Sequence, residues 1–167
     1  MRRLLSPVFL TILISLTSLL NFAHAAETSA RAAKADAPIV FVCEYGTAKS
    51  VIAALHFNKI AEQRGLPYRA LSRGINAETK IHGPTQLGLS QDGIDTKDFV
   101  GSSLTAEIAN NARRVVTIGL ENPPEFVKQS KPLEWNKVPS VGKDYAKARD
   151  HMLQNIEALL QELASAK

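Results

Sequence analysis

The chain has 167 residues, with 20 Lys and Arg against 16 Asp and Glu and a formal net charge of +4 at pH 7. Arg2 and Arg3 are the only charged residues among the first 25, so the rest of the chain carries 18 basic and 16 acidic side chains. That balance is too even to indicate a nucleic-acid-binding surface. The single cysteine, Cys43, excludes an internal disulfide, so an ordinary hydrophobic core must hold the fold.

The first 25 residues have the pattern of a signal peptide. Two arginines at the start are followed by residues 4–22, an uncharged stretch rich in Leu and Ile, and then by an A-x-A cleavage pattern at residues 23–25. We therefore expect cleavage after Ala25 and a periplasmic or secreted protein. The alternative is a retained membrane anchor, because the uncharged stretch is almost long enough to span a bilayer, and only then is membrane contact expected.

The predicted folded domain covers residues 38–164 and follows a flexible leader at 26–37, which is small and polar and has no apolar period. The apolar run at 39–43 is short and rich in β-branched residues, as in a central parallel strand. A helix is predicted over 49–64, because its apolar residues fall on one stripe and Gly65 follows as a stop.

Strands and helices continue to alternate after this first unit. Residues 68–72 predict a second strand, and Pro84 and Gly93 bound a short helix. Ser103 is the expected cap of another short helix that runs through Asn110.

The last part of the chain predicts two further strands and a long helix. The strands are expected at 115–119 and near 133–135. In the helix, apolar residues recur at steps of three and four: Tyr145, Ala148, Met152, Ile156, Leu159 and Leu163. Strands separated by helices imply a parallel sheet covered on both faces, with ligands bound at the carboxyl ends of the strands.

The stretch FVCEYGTAKS, residues 41–50, lies at such a strand end. A strand, a loop containing Gly46 and a helix start can form an anion site, because backbone N–H groups turn inward and the helix N-terminus adds positive charge. Such a field favours the thiolate form of a cysteine, the form that attacks phosphorus. Lys49 would add a full positive charge, and Ser50 would donate a hydrogen bond to the Cys43 thiolate.

The substrate contacts are predicted to come from the loop that joins the strand and the helix, namely Glu44, Tyr45, Gly46, Thr47 and Ala48. Tyr45 either stacks on an aryl phosphate or is simply an exposed loop aromatic. The Glu44 carboxylate opposes thiolate formation and anion entry unless it points outward. For Cys43 the alternative is a buried apolar thiol, and for Lys49 it is a solvated helix start.

These residues resemble the low-molecular-weight protein tyrosine phosphatases and the arsenate reductases that share their fold. That family has a Cys-x5-Arg-Ser loop after its first strand, and Cys43 and Ser50 hold the nucleophile and serine positions. The likeness continues at Ser72-Arg73-Gly74, at 82–95, at 112–119, and at Tyr145, Arg149 and Asp150. The resemblance implies a phosphotyrosine phosphatase I-like fold, which is an α/β three-layer sandwich around a four-stranded parallel sheet. It also implies a phosphocysteine intermediate and no cofactor.

The sequence departs from the family at several functional positions. Lys49 stands where the family has arginine, and an ammonium cannot grip two phosphate oxygens as a planar guanidinium does. Tyr45 and Gly46 replace a Gly-Asn pair. The chain has no Asp-Pro dipeptide to supply the general acid, and the matching stretch is 135–139. Glu134 and Asp144 are candidate substitutes, and without any acid we expect a loss of about a hundred- to ten-thousand-fold.

Other functional sites receive little support from the sequence. The three histidines of the domain, His56, His82 and His151, have no ligand spacing with one another or with Cys43, so no metal is expected. Trp135 is expected to be a packing anchor. With Cys43 alone, an arsenate reductase cycle that needs resolving cysteines cannot run within this chain.

The leading hypothesis is a phosphatase-like protein that hydrolyses phosphomonoesters, phosphotyrosine among them, through Cys43. One alternative is a binder of oxyanions or phosphorylated ligands that keeps the loop and lacks the acid, and another is an interaction domain whose loop binds nothing. The expected partner is a phosphorylated small molecule or protein, or an inorganic oxyanion, and not nucleic acid. The first two hypotheses require free amides around a tetrahedral anion above the Cys43 sulfur.

Overall fold

The structure is a computed structural model that describes residues 37–165. The predicted signal peptide at 1–25 lies outside the described residues, as does all of the predicted leader except residue 37. Among residues 37–165 no helix combines the length and the apolar character needed to cross a membrane.

A sheet of four parallel strands lies at the centre of the fold, in the order β2-β1-β3-β4. The strands are β1 (Ile39–Cys43), β2 (Ala70–Gly74), β3 (Arg114–Ile118) and β4 (Leu133–Trp135). β1 pairs on both sides and is buried along its whole length, which explains its uninterrupted apolar sequence. The predicted four-stranded parallel sheet is confirmed.

The helices cover both faces of this sheet. They are α1 (Lys49–Gln63), α2 (Gly83–Gln91), α3 (Ala106–Asn111), α4 (Glu125–Gln129) and α5 (Tyr145–Ser165). Alternate residues of β1 point to opposite faces. Phe41 and Cys43 belong to the core shared with α1 and α5, and Val42 belongs to the core shared with α3 and α4. The predicted three-layer α/β sandwich is therefore confirmed, and Cys43 faces the α1 side.

Two predicted starts are wrong by two residues, and the other predicted ends of elements differ by at most two residues. The second strand was expected to start at residue 68 but starts at Ala70, because Ile39 begins β1 and pairs with Ala70. Ser103 was expected to cap the third helix, but the cap is Thr105, whose Oγ1 accepts the amide of Ile108 at 3.2 Å. Ser103 instead forms a parallel bridge with Gly74, so its backbone belongs to the edge of the sheet.

The core of the α1 and α5 side contains the aromatic residues. The Phe41 ring centroid lies 5.8 Å from that of Phe57 and 5.3 Å from that of Trp135. Trp135 is buried, so its predicted role as a packing anchor is confirmed. The apolar stripe predicted for the last helix is buried from Ala148 to Leu163.

A buried polar cluster ties α2 to the two long helices. The Asp92 carboxylate, just after α2, accepts Tyr145 OH at 2.6 Å, an Arg149 guanidinium nitrogen at 2.7 Å and His56 Nε2 at 3.1 Å. Burial alone would raise the pKa of Asp92, but hydrogen bonds from Tyr145 and Arg149 outweigh it and hold the pKa below its usual range. The Tyr145 ring occupies the space that a Cβ at Gly88 would need. This partly buried cluster holds the C-terminal end of α2 against α1 and α5.

Candidate functional site

The candidate site is built where β1 ends and α1 begins. Cys43 is the last residue of β1 and is 6% exposed, and its Sγ lies 3.1 Å from Ser50 Oγ in the first turn of α1. Ser72, on β2, donates to Ser50 Oγ at 2.9 Å. The Gly46 carbonyl oxygen is a second, more distant acceptor for the Ser72 hydroxyl, at 3.3 Å. Because a hydroxyl has one hydrogen, the Ser50 hydrogen is free to point at the sulfur when Ser72 donates to Ser50.

The carbonyl groups of the loop accept hydrogen bonds from the segment that follows β2. Four backbone hydrogen bonds make this connection: Ile75 N–H to Cys43 O at 3.2 Å, Asn76 N–H to Glu44 O at 2.9 Å, Glu78 N–H to Tyr45 O at 3.0 Å, and His82 N–H to Thr47 O at 3.1 Å. In a trans peptide unit the next N–H points opposite to the carbonyl. The loop amides therefore turn away from that segment. Within residues 37–165 the N–H groups of residues 44–48 have no hydrogen-bond acceptor in the protein.

Two glycines permit this loop conformation. Gly46 has φ +68°, and a Cβ there would lie 2.7 Å from the Gly74 amide nitrogen. Conversely, a Cβ at Gly74 would lie 2.7 Å from the Gly46 nitrogen. The loop and the end of β2 therefore touch backbone to backbone, a contact that side chains would prevent.

A cavity of about 580 Å³ opens above the cysteine. One wall is the loop, with Cys43, Glu44, Tyr45, Thr47, Ala48 and Lys49, and the other walls are Glu78 and His82, Ile118 and Gly119, and Ser140, Val141 and Gly142. Cys43 is nearly buried and belongs to the hydrophobic core, yet it also lines a cavity of ligand size. All of the predicted loop residues except Gly46 and Ser50 line this space, and Gly46 and Ser50 support it from behind.

The cation of the site is Lys49, the first residue of α1. Its Nζ lies 2.8 Å from the position that a Cβ at Gly119 would occupy, so the glycine after β3 leaves room for the ammonium. Gly119 has φ +63°, which a glycine adopts without strain. The ammonium therefore stands at the carboxyl end of the sheet, on the same edge as Cys43.

Two loop side chains, Glu44 and Tyr45, are exposed to solvent. The Glu44 carboxylate is exposed and accepts Asn76 Nδ2 at 2.6 Å, which ties it to the segment after β2. Tyr45 is 54% exposed at the wall of the cavity. Thr47, by contrast, is buried beside the loop.

The two acids suggested by the sequence are not in the cavity lining. Glu134 is exposed and accepts Asn136 Nδ2 at 3.0 Å. The Asp144 carboxylate accepts the Lys147 amide at 2.9 Å at the start of α5. Val138 precedes Pro139 in the stretch matched to Asp-Pro. It is buried, and its side chain has no acidic proton to donate. Outside the loop, the ionisable side chains that line the cavity are those of Glu78 and His82.

Several residues that shape the site were not predicted, namely Ser72, Gly119, Glu78 and His82. Ser72, His82 and Gly119 lie in stretches that resemble the family, but no spacing rule indicates that they reach the loop. Among residues 37–165 no group of three or more His, Cys, Asp or Glu side chains is arranged to hold a metal ion.

A free cysteine beneath unpaired loop amides, at the carboxyl end of a central parallel strand, defines the class: a cysteine-based, phosphatase-like α/β protein. Residues 38–158 match the family described as low molecular weight phosphotyrosine protein phosphatase, and the chain belongs to this family. The resemblance inferred from the sequence is thus confirmed.

Solved structures share the fold at low sequence identity. YfkJ from Bacillus subtilis matches with a TM-score of 0.68 and 16% identity, covering 78% of this chain and 96% of that chain. The YwlE arginine phosphatase from Geobacillus stearothermophilus matches with a TM-score of 0.63 and 20% identity, covering 78% and 94%. A thioredoxin-dependent arsenate reductase from Corynebacterium glutamicum matches with a TM-score of 0.61 and 18% identity, covering 87% and 75%. No significant match was found among curated proteins.

Proposed function

We propose that the protein is a phosphatase that hydrolyses phosphomonoesters, aryl esters such as phosphotyrosine among them, through a phosphocysteine on Cys43. The observation that carries this proposal is the loop geometry. The loop carbonyls accept hydrogen bonds from the segment after β2, and the amides of 44–48 stay unpaired within residues 37–165. Cys43 and most of the loop line one cavity. Unpaired amides beneath a cavity suit the oxygens of a phosphoryl group.

In the proposed first step, the Cys43 thiolate attacks phosphorus. An S–P bond forms, the P–O bond to the leaving group breaks, and the leaving oxygen takes up a proton. The loop amides and the Lys49 ammonium stabilise the negative charge on the phosphoryl oxygens. In the second step water attacks phosphorus and the S–P bond breaks. Ser50, 3.1 Å from the sulfur, stabilises the departing thiolate.

The substitution of lysine for arginine affects the strength of this stabilisation. An ammonium acts as a point charge, whereas a guanidinium binds two oxygens at once in a fixed plane. Lys49 would therefore attract the phosphoryl group into the cavity and hold its transition state less firmly. We expect slow turnover compared with that of an enzyme carrying arginine at this position.

The second candidate function is a binder of oxyanions or phosphorylated ligands without turnover. It is favoured by Val138, which is apolar and buried where the family pattern has its general acid. Such a protein would use the same amides and the same lysine. It would differ from the enzyme only in lacking a group that delivers a proton.

Hydrolysis of an aryl phosphate by the wild type and by Cys43→Ser separates these functions. Thermal shifts in phosphate, arsenate and sulfate would be recorded alongside, on the chain from residue 26 onward. Turnover that depends on Cys43 supports the phosphatase. Stabilisation by the anions without turnover supports the binder, and the absence of both effects overturns both proposals in favour of an interaction domain whose loop binds nothing.

We also propose that the protein is exported and meets its phosphorylated small molecule, protein or oxyanion outside the cytoplasm. The supporting observation is the pattern of residues 1–25, with its positive start, uncharged stretch and A-x-A site. To test this, the protein is expressed in a bacterial host, the periplasm and the cytoplasm are separated, and the N-terminus of the protein in each fraction is determined by mass spectrometry. A protein beginning at Ala26 in the periplasm supports export, and an intact Met1 in the cytoplasm contradicts it.

A further inference from the structure

His82 is placed to supply the proton that the family pattern assigns to an aspartate missing from this chain. Its backbone amide donates to the Thr47 carbonyl at 3.1 Å, which fixes residue 82 directly beside the loop. Its side chain lies beside Gly142, and both residues line the cavity that Cys43 also lines. Residue 82 is therefore attached to the loop by its backbone and faces the same space as the nucleophile with its side chain.

The imidazole reaches across the cavity toward the late loop. Its Cε1 lies 3.8 Å from the position that a Cβ at Gly142 would occupy. Gly142 follows the Val138-Pro139 stretch that corresponds to the Asp-Pro of the family. The His82 ring thus lies beside the late loop, from which the acid acts in the family pattern. The residues that this loop places in the cavity lining are Ser140, Val141 and Gly142, and none of them is ionisable.

The other ionisable groups at the cavity have different positions or partners. Glu44 is held by Asn76, and the Lys49 ammonium lies against Gly119 at the end of β3. Glu78 lines the cavity as well, but its backbone is held at two places: its carbonyl packs against Gly101, and its amide donates to the Tyr45 carbonyl at 3.0 Å. Among the described residues the imidazole nitrogens of His82 have no hydrogen-bond partner, so they are available to a ligand.

We infer that His82 is the general acid and base of this site, an inference that rests on the proposed phosphatase function. In the first step its imidazolium N–H gives a proton to the leaving oxygen as the S–P bond forms and the P–O bond breaks. In the second step the neutral imidazole takes a proton from the attacking water as the S–P bond breaks. The thiolate and the imidazolium are both restored, so protons and electrons balance.

The test compares two aryl phosphates that differ in how much their leaving group needs a proton. In p-nitrophenyl phosphate the leaving phenolate is stable by itself, whereas in phenyl phosphate it is not. We expect His82→Gln to lower kcat for phenyl phosphate by about a hundred- to ten-thousand-fold and kcat for p-nitrophenyl phosphate by less than about tenfold. The matched control is His151→Gln on α5, outside the cavity lining, which should keep wild-type rates on both substrates.

The possible outcomes separate this inference from the proposed function. Suppose that the wild type hydrolyses both substrates through Cys43, and that His82→Gln lowers kcat equally for both or for neither. His82 is then not the acid, and the phosphatase proposal stands. If Glu78→Gln shows the leaving-group effect instead, the proton comes from Glu78. If wild type and Cys43→Ser are equally inactive, the phosphatase proposal fails and the role of His82 fails with it. A thermal midpoint of His82→Gln equal to that of the wild type shows that its losses are not caused by unfolding.

Discussion

The Ser50 hydroxyl lies 3.1 Å from the Cys43 sulfur, and both side chains are buried where β1 meets α1. Ser72 donates to Ser50 from the opposite side at 2.9 Å, so the Ser50 hydrogen can be directed at the sulfur. The sulfur therefore has a hydrogen-bond donor that is itself positioned by the neighbouring strand. In the proposed phosphatase this hydrogen bond would stabilise the sulfur as it departs from phosphorus.

Replacing Ser50 by alanine should slow the release of phosphate from the phosphocysteine more than its formation. A hydrogen bond to a charged group contributes about 1.5–3 kcal/mol, so we expect a loss of about ten- to a hundredfold in steady-state turnover. Rapid-mixing measurements with an aryl phosphate would show a burst of phenol release followed by a slow phase. The control is Ser102→Ala, an exposed serine whose hydroxyl bonds only its own segment. Unchanged steady-state rates in Ser50→Ala would contradict this role.

Replacing Lys49 by arginine should strengthen oxyanion binding. A guanidinium can pair with two phosphate oxygens, and we expect tighter phosphate binding by about tenfold, which corresponds to about 1.4 kcal/mol. Titration calorimetry with inorganic phosphate measures the change. Lys137→Arg, an exposed lysine outside the cavity lining, is the matched control. Equal affinities of Lys49→Arg and the wild type would show that residue 49 does not face the ligand.

Replacing Gly46 by alanine should destabilise the protein more than the same change at Gly65. Both glycines have positive φ, +68° and +61°, so alanine is strained at each by about 1–2 kcal/mol. At Gly46 the new Cβ would also lie 2.7 Å from the Gly74 nitrogen, whereas at Gly65 nothing lies within 4 Å. Urea unfolding should therefore give a larger loss at Gly46, by at least about 1 kcal/mol. Equal losses would mean that the loop can move away from β2 at little cost.

Replacing Asp92 by asparagine should destabilise the packing of α2 against α1 and α5. Its carboxylate accepts hydrogen bonds from Tyr145, Arg149 and His56, and its side chain is only 14% exposed. Loss of the charge leaves the Arg149 guanidinium with only the exposed Asp150 as a carboxylate partner. We expect a cost of about 1.5–3 kcal/mol in the free energy of unfolding. Asp95→Asn, whose side chain is 66% exposed, should cost less than about 0.5 kcal/mol. Similar unfolding midpoints for the two variants would show that the cluster adds little stability.

The stability of the protein should fall as the pH drops below 6.5. Burial lowers the pKa of His56 from its ordinary value of 6.5, and the neighbouring charges of Arg149 and Lys59 add to this, while Asp92 partly opposes it. The unfolded state therefore binds more protons between the two pKa values, so the free energy of unfolding rises with pH across that window. Urea unfolding at several pH values from about 5 to 7.5 measures the slope. His56→Gln should flatten it, and parallel slopes in the variant and the wild type would contradict the assignment.

The sequence alone was sufficient for the class of fold and for the family. The apolar run of β1 and the three-and-four spacing from Tyr145 to Leu163 are local patterns, and each was found as a buried strand or helix face. The short strand at Leu133–Trp135 was also located correctly. These patterns can be recognised in the sequence because burial of one or both faces makes apolar residues recur with the period of the helix or strand.

What surrounds the cysteine was decided only by the tertiary structure. Ser72, Gly119 and His82 reach the loop from separate segments, which meet because parallel strands place their carboxyl ends on one edge of the sheet. The unpaired state of the loop amides likewise depends on the segment after β2, which binds the loop carbonyls from outside. Such contacts join residues far apart in the chain and leave no period in the sequence. The sequence could therefore identify Cys43 as the candidate nucleophile, with Ser50 and Lys49 as its donor and cation. The position of Ser72 behind Ser50, the room at Gly119 for the lysine and the candidate acid His82 depend on how those strand ends come together.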